Sequence, residues 1–313
     1  MKKDSRILIT GSQGLVGTNL IKELRKQGYA NLYLTDKPKH NLLYRDEVED
    51  LFEDARPEYV FHIAARVGGI VSNDTRSGEY IYENLLMQCN VIEQARLINV
   101  NKLLFMGSAC IYPKESPQPI KEEYLLSGYL EETNRAYAIA KIAGLTMCQM
   151  YRKQYGCNFI SAMPMNLYGP NDNFHLTESH VIPGMIRKFH DAKTRGDKEI
   201  TLWGTGVAKR EFLYVSDICD AVIFLMNNYN ESIPVNVGSG EEITMLELAN
   251  LIGCIVGFEG EIKWDSNYPD GVLQRKYDLT KIHSLGWFAR TSLIHGLETT
   301  YEWFKINEEI SRL

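Results

Sequence analysis

The stretch Ile7-Leu8-Ile9-Thr10-Gly11-Ser12-Gln13-Gly14-Leu15-Val16-Gly17 places a short apolar run against three regularly spaced glycines. After it, Leu20, Ile21 and Leu24 recur at helical spacing. An apolar run of this length that ends in glycine reads as a strand, and the periodic segment as a helix. Glycines at the junction permit a tight turn and close approach of a ligand, so the segment predicts a strand–turn–helix that holds a pyrophosphate on uncapped helix amides.

Outward from that unit the same rhythm repeats. Asn31 to Thr35, Tyr59 to Ile63 and Leu103 to Met106 are strand-like, and helix-length segments separate them. Repeated βαβ units predict an α/β protein with a Rossmann-type, doubly wound parallel sheet. After Tyr168-Gly169-Pro170 the rhythm breaks into Asn-, Gly- and Pro-containing loops with shorter elements. Glu211 to Met226 looks like a strand and helix returning to the first sheet. The expected division is therefore residues 1–165 and 209–238 for dinucleotide binding, with 166–208 and 239–313 forming a smaller, discontinuous α/β substrate domain.

A chain of 313 residues, 44% hydrophobic and 24% charged, buries a core without staples. Its six cysteines, Cys89, Cys110, Cys148, Cys157, Cys219 and Cys254, form no CxxC pair or zinc spacing. Neither a bound metal nor a disulfide framework is expected. With no apolar leader at MKKDSRILIT and no run of about 20 apolar residues, a cytoplasmic location and no membrane contact are expected. A net charge of -6 opposes nucleic-acid binding, which needs clustered Lys and Arg.

GxxGxxG is the spacing of short-chain reductases rather than of long dehydrogenases. Asp36 stands at the end of the second strand-like run, where a carboxylate accepts from the adenosine ribose and favours NAD; Lys37, Lys39 and His40 follow at once and suit a 2′-phosphate. Downstream, the run LLFM ends in Gly107-Ser108, at the edge of the sheet where such folds bind ligands. Tyr137 and Lys141 then fall one turn apart on a helix face. A phenol with a pKa near 10 is a poor acid at neutral pH, and the expectation is that the adjacent ammonium lowers it. Ser108 would donate to the same substrate oxygen.

With AARVGGI (64–70), GSACIYP (107–113), YAIAK (137–141), MPMNLYGPNDNF (163–174), ESHVIP (178–183), WGTG (203–206), KREF (209–212) and YPDG (268–271), the chain resembles the GDP-L-fucose synthase family over nearly its whole length. These are extended short-chain reductases that epimerise GDP-4-keto-6-deoxy-mannose at C3 and C5 and reduce C4. The resemblance implies Ser108, Tyr137 and Lys141 as the reductase trio, and Cys110 with His180 as the epimerisation acid/base pair. Alone, Cys110 reads as a small packed hydrophobe and His180 as a polar helix start. Inverting a centre beside a ketone needs a base and a proton donor, for which a thiol near pKa 8.5 and an imidazole near 6.5 are suited.

For the dinucleotide, the resemblance implies Gly11, Gln13, Gly14, Leu15, Val16, Gly17, Asp36, Lys37, Ala64, Ala65, Pro164, Asn166 and Leu167 beside Tyr137 and Lys141. It implies NADP(H), with NAD kept open by Asp36. For a GDP-linked 4-keto sugar it implies Ser108, Asn166, Val181, Lys188, Trp203, Arg210 and Arg275; Trp203 also suits a core position. Family members usually carry Lys where Arg275 falls. A homodimer through the helical stretches 80–97 and 137–155 is implied likewise. The alternatives are an epimerase/reductase or plain C4-reductase for another GDP-4-keto sugar such as a deoxyheptose, a UDP-sugar 4-epimerase, a 4,6-dehydratase and a non-catalytic nucleotide sensor. Ala109-Cys110 replaces the acidic pair that follows the strand-end Ser or Thr in dehydratases.

Overall fold

Every residue of the first strand, Ile7 to Thr10, is buried, and so is every residue of Lys102–Met106 and Phe159–Pro164. Runs apolar on both faces belong to a parallel sheet sandwiched between helices. The computed structural model describes residues 1–309 apart from 36–38, 177 and 269. Its elements begin β1 (Ile7–Thr10), α1 (Leu15–Lys26), β2 (Leu32–Leu34), α2 (Arg45–Ala55) and β3 (Tyr59–His62). There follow α3 (Ile70–Thr75), α4 (Ser77–Leu97), β4 (Lys102–Met106), α5 (Arg135–Tyr155), β5 (Phe159–Pro164), β6 (Asn166–Tyr168) and α6 (Val181–Arg195). The chain continues through β7 (Glu199–Trp203), β8 (Lys209–Tyr214), α7 (Val215–Asn228), β9 (Val235–Val237) and β10 (Glu242–Thr244). Last come α8 (Met245–Val256), β11 (Glu261–Asp265), β12 (Gln274–Arg275), α9 (Thr280–Ser284) and α10 (Leu293–Ile306).

Six parallel strands form the main sheet in the order β2-β1-β3-β4-β5-β9. The winding direction reverses between β1 and β3, and in open α/β sheets the crevice at such a point binds the ligand. β10, β8 and β12 form a second sheet in which β6 also pairs with β8, and β11 pairs with β7. The strand at Glu211 thus corrects the expectation that it rejoins the first sheet. β8 instead pairs β6, β10 and β12, while the short apolar strand Val235–Val237 takes the position beside β5. Burial fits the choice: Lys209 and Arg210 remain accessible at the start of β8, whereas all of β9 is buried.

α5 is seated by a missing side chain. Tyr137, Lys141 and Gly144 lie on one face of the helix, and a Cβ at Gly144 would come within 2.5 Å of the Phe105 ring and 2.6 Å of Gln88 Oε1. The contact brings α5 down on β4, and Gln88 of α4 locks it by donating to the Ala140 carbonyl at 2.6 Å. A buried donor held this way fixes the height of Tyr137 and Lys141 over the strand end.

Candidate active site

A cleft of about 960 Å³ opens along the ends of β1, β3, β4 and β5 and is walled on its far side by residues 171–173 and 180–182 and by β8. Gly11 at its floor has φ +71°, and a Cβ there would lie 2.8 Å from the Ala64 backbone. At Gly17 a Cβ would come within 2.1 Å of the Gly11 carbonyl. Both are glycine because the loop, strand and helix approach one another. Gly14 differs: a Cβ would meet only the Gly11 carbonyl, at an ordinary 3.5 Å. Gly14 is also the first boundary residue of α1, which has no side-chain cap and no acidic residue in its first turn. Open space over uncapped helix amides suits a dinucleotide pyrophosphate.

The loop is braced from below. Thr35 accepts from the Gly11 amide at 3.1 Å, and Ser12 Oγ donates to the Thr35 carbonyl at 2.8 Å. Thr10 Oγ1 accepts the Ile63 and Ala64 amides at 3.1 and 3.2 Å, so its proton goes to His62 Nδ1 at 2.8 Å. Burial pushes His62 down to about 3, so the ring is neutral. Gln13, Ala65, Pro164, Asn166 and Leu167 line the same cleft. Asp36 and Lys37 lie outside the described residues. Lys39 is exposed and pairs with Asp54 at 3.5 Å, whereas His40 is buried in the cleft wall.

At the centre, the Cys110 amide donates to Ser108 Oγ at 3.4 Å, and the side chains of Tyr137 and Cys110 lie near the same hydroxyl. Lys141 Nζ donates to the Met106 carbonyl at 2.8 Å and lies 5.8 Å from the Tyr137 ring centre. The expected lowering of the phenol pKa by Lys141 is absent: burial pushes Tyr137 upward, and the ammonium itself is pushed down to about 8 by burial. Two groups removed from water each favour their neutral form, and desolvation is the largest cause for both. A phenol that keeps its proton is a donor, the role a reduction requires.

Burial likewise raises the Cys110 thiol, opposed by the Ser108 hydroxyl and by the positive charges of Arg275 and Lys141. His180 precedes α6 with extended backbone and faces the cleft. Its ring is exposed there, yet the surrounding walls desolvate it and lower its pKa. Val181 and Arg210 also line the cleft, and Asn166 Nδ2 donates to the Glu211 carbonyl at 2.9 Å. Lys188 and Trp203 stand apart from the cleft lining. Lys188 Nζ lies 5.0 Å over the Trp203 ring, and that ring is 44% exposed and stacked on Tyr268 at 4.5 Å. The exposure removes the core reading of Trp203.

Several supports were not legible as site residues. Buried Asn84 clamps Arg66 by accepting its amide and donating to its carbonyl, both at 2.9 Å, and Glu83 grips the Arg66 guanidinium at 2.8 Å. Glu211, buried and raised in pKa by that burial, accepts the Gly240 amide at 2.8 Å and the Tyr277 amide at 2.9 Å. Only the KREF motif signalled Glu211. Asn84 carried no signal, because its partner is backbone.

The family model described as NAD dependent epimerase/dehydratase matches residues 7–238. Among curated proteins, GDP-L-fucose synthase 1 of Arabidopsis thaliana is 48% identical over 305 residues, 97% of this chain and 94% of that protein. Among solved structures, a GDP-6-OMe-4-keto-L-xylo-heptose reductase from C. jejuni superposes with TM-score 0.93 at 35% identity, covering 98% of this chain and 99% of its own. A GDP-L-fucose synthetase from Naegleria fowleri bound to NADP superposes with TM-score 0.93 at 28% identity, covering 100% and 98%.

Proposed function

This chain belongs to the NAD dependent epimerase/dehydratase family and, within it, to the GDP-L-fucose synthases; from that premise we propose that it converts a GDP-4-keto-6-deoxy sugar by 3,5-epimerisation followed by NADPH-dependent reduction at C4. The observation that carries the reading is that Ser108, Tyr137, Lys141 and His180 line one cleft while the turn that follows Ser108 brings Cys110 beside them. A plain reductase has no use for a thiol and an imidazole in addition to the Ser–Tyr–Lys trio.

NADP(H), whose pyrophosphate suits the amides over Gly14, supplies a hydride to the C4 carbonyl carbon when bound. Lys141 holds the ribose hydroxyls, Ser108 orients the carbonyl oxygen, and Tyr137 gives that oxygen its proton. Before reduction, Cys110 and His180 exchange carbon-bound protons at C3 and C5, while the C4 oxygen carries the enolate charge beside Ser108 and Tyr137. Arg210, which lines the cleft, would meet the diphosphate with Arg275 next to it across the ladder, and Lys188 and Trp203 the nucleoside. The walls from 171–173 and 180–182 exclude water from the reacting carbons.

The relatives favour a fucose-type over a heptose-type substrate: a curated fucose synthase stands at 48% identity and the heptose reductase at 35%. Helices α4 and α5 pack side by side and expose Tyr82, Ile139 and Met150, which supports a homodimer across them. All six cysteines are unpaired, which suits the reducing cytoplasm. Incubation with GDP-4-keto-6-deoxy-mannose and NADPH should yield GDP-L-fucose. A product reduced without epimerisation, or turnover of a keto-heptose alone, would overturn the reading. Sedimentation at micromolar concentration should give a dimer.

A further inference from the structure

Arg275 and Arg210 are partners across the parallel β12–β8 ladder, but their guanidinium groups point to different places. Arg210 donates to the Asp270 carbonyl at 3.0 Å and to its own neighbour Lys209 at 2.8 Å. Arg275 Nη1 instead reaches out of its sheet to the Ala109 carbonyl at 2.9 Å. Ala109 lies between Ser108 and Cys110, in the single helical turn Ala109–Ile111 that follows β4.

The backbone that follows Arg275 is fixed. The Lys276 amide donates to Gln118 Oε1 at 2.8 Å, the Tyr277 amide to buried Glu211 at 2.9 Å, and the Ile120 amide to the Lys276 carbonyl at 2.7 Å. A long side chain anchored this way has lost most of its freedom before it meets the turn.

We propose that Arg275 is a positioning residue for the carbon-proton step: its guanidinium holds the Ala109 carbonyl, and with it the turn that carries Cys110, and keeps a positive charge at that turn. The role rests on the reading of Cys110 as an epimerisation base and deepens it. In that step a C–H bond next to the ketone breaks, an S–H bond forms and the electron pair moves to the C4 oxygen. A neutral thiol cannot accept the proton, so the fraction of thiolate sets the rate.

Cys110 is otherwise poorly placed to ionise, because burial opposes its charge. The groups that face it are the Ser108 hydroxyl, Lys141 and Tyr137 from α5, Tyr277 after β12, and Arg275 itself. Lys141 is pushed down to about 8, so its charge fades as the pH rises into the range where a thiol titrates. A guanidinium stays charged across that range. A phosphate ligand alone would need no contact with Ala109.

The test reads Cys110 directly, without substrate. Wild type, R275Q and R275M are alkylated with iodoacetamide from about pH 6 to pH 10, and modification of the Cys110 peptide is followed by mass spectrometry. Removing a charge this close should move the midpoint up by about one unit, so that alkylation below the midpoint slows about tenfold while the high-pH plateau stays. Two neutral variants are used so that a folding failure of one leaves the other. At saturating substrate the same variants should take up solvent deuterium about tenfold more slowly.

A midpoint unmoved in both variants, or a rise in KM alone with normal deuterium uptake, overturns the proposal and leaves Arg275 a phosphate ligand. Should wild type fail to convert GDP-4-keto-6-deoxy-mannose while the alkylation midpoint still shifts, the failure belongs to the proposed function, and the Arg275–Cys110 coupling stands.

Discussion

Tyr137, Lys141 and His180 line one cleft, with Cys110 in the turn after Ser108, yet the pairs Tyr137–Lys141 and Cys110–His180 are held in opposite ways. The first pair sits on one helix, one turn apart, on a buried face seated against β4 through Gly144. The second comes from a strand-end turn and from the residue before α6, and His180 is exposed to the cleft. A pair on one rigid element keeps its geometry through the catalytic cycle, whereas a pair on two loops depends on whatever holds those loops. One of the holding contacts is the Gly69 amide donating to the Glu178 carbonyl at 2.9 Å, which ties the segment after β3 to the loop that carries His180. Reduction and epimerisation should therefore separate under mutation.

The largest effect is expected for Tyr137→Phe, which removes the proton source for the C4 oxygen. NADPH oxidation should fall by about 10²- to 10⁴-fold, while exchange of C3 and C5 protons with deuterated water persists. If both activities fall together, the two pairs are one machine and the comparison fails. Cys110→Ser, next in size, replaces the thiol with a hydroxyl far harder to deprotonate. Deuterium uptake should drop by about 10²-fold or more while NADPH oxidation continues, now giving the unepimerised C4-reduced sugar. Unchanged uptake would make Cys110 a packing residue.

The glycine loop sharpens the same contrast between local and assembled parts. Gly17→Ala forces a methyl against the Gly11 carbonyl and should cost about 1–3 kcal/mol of stability, read as a lower Tm. Gly14→Ala fits the fold and should leave Tm unchanged, raising KM for NADPH instead. A fall in Tm for Gly14→Ala would place its role inside the protein rather than toward the ligand.

The smallest effect is in the pH profile. Lys141 is held at about 8, below the ordinary lysine value, so it is charged below that pH and neutral above it. As the charge is what holds the ribose hydroxyls, kcat for reduction should decline as pH rises through about 8, with a slope of one proton. A kcat flat to pH 10 would show that the neutral amine suffices.

How much of this could be read from the chain varies with distance along it. The strand–turn–helix at 7–24 and the pairing of Tyr137 with Lys141 are local, because glycine conformations and helical spacing act over a few residues. The strand at Glu211 was misassigned since its apolar half, Phe212 to Tyr214, suits either sheet, and only competition with Val235–Val237 for the place beside β5 decides between them. The rise of the Tyr137 pKa was missed for a related reason. Charge proximity shows in the spacing of Tyr and Lys, but desolvation depends on every element that covers them.

By itself the sequence determined the fold class and the strand–turn–helix at its start, and it supplied the residue types proposed for the site, since propensity, periodicity and residue chemistry are carried by neighbours in the chain. Only the tertiary structure decided that Arg275 touches the Cys110 turn, that Glu211 ties β8 to β12, and that Trp203 stacks in the open on Tyr268. Those contacts join residues brought together by chain closure, and their energies depend on burial and direction, which exist only once the chain has folded.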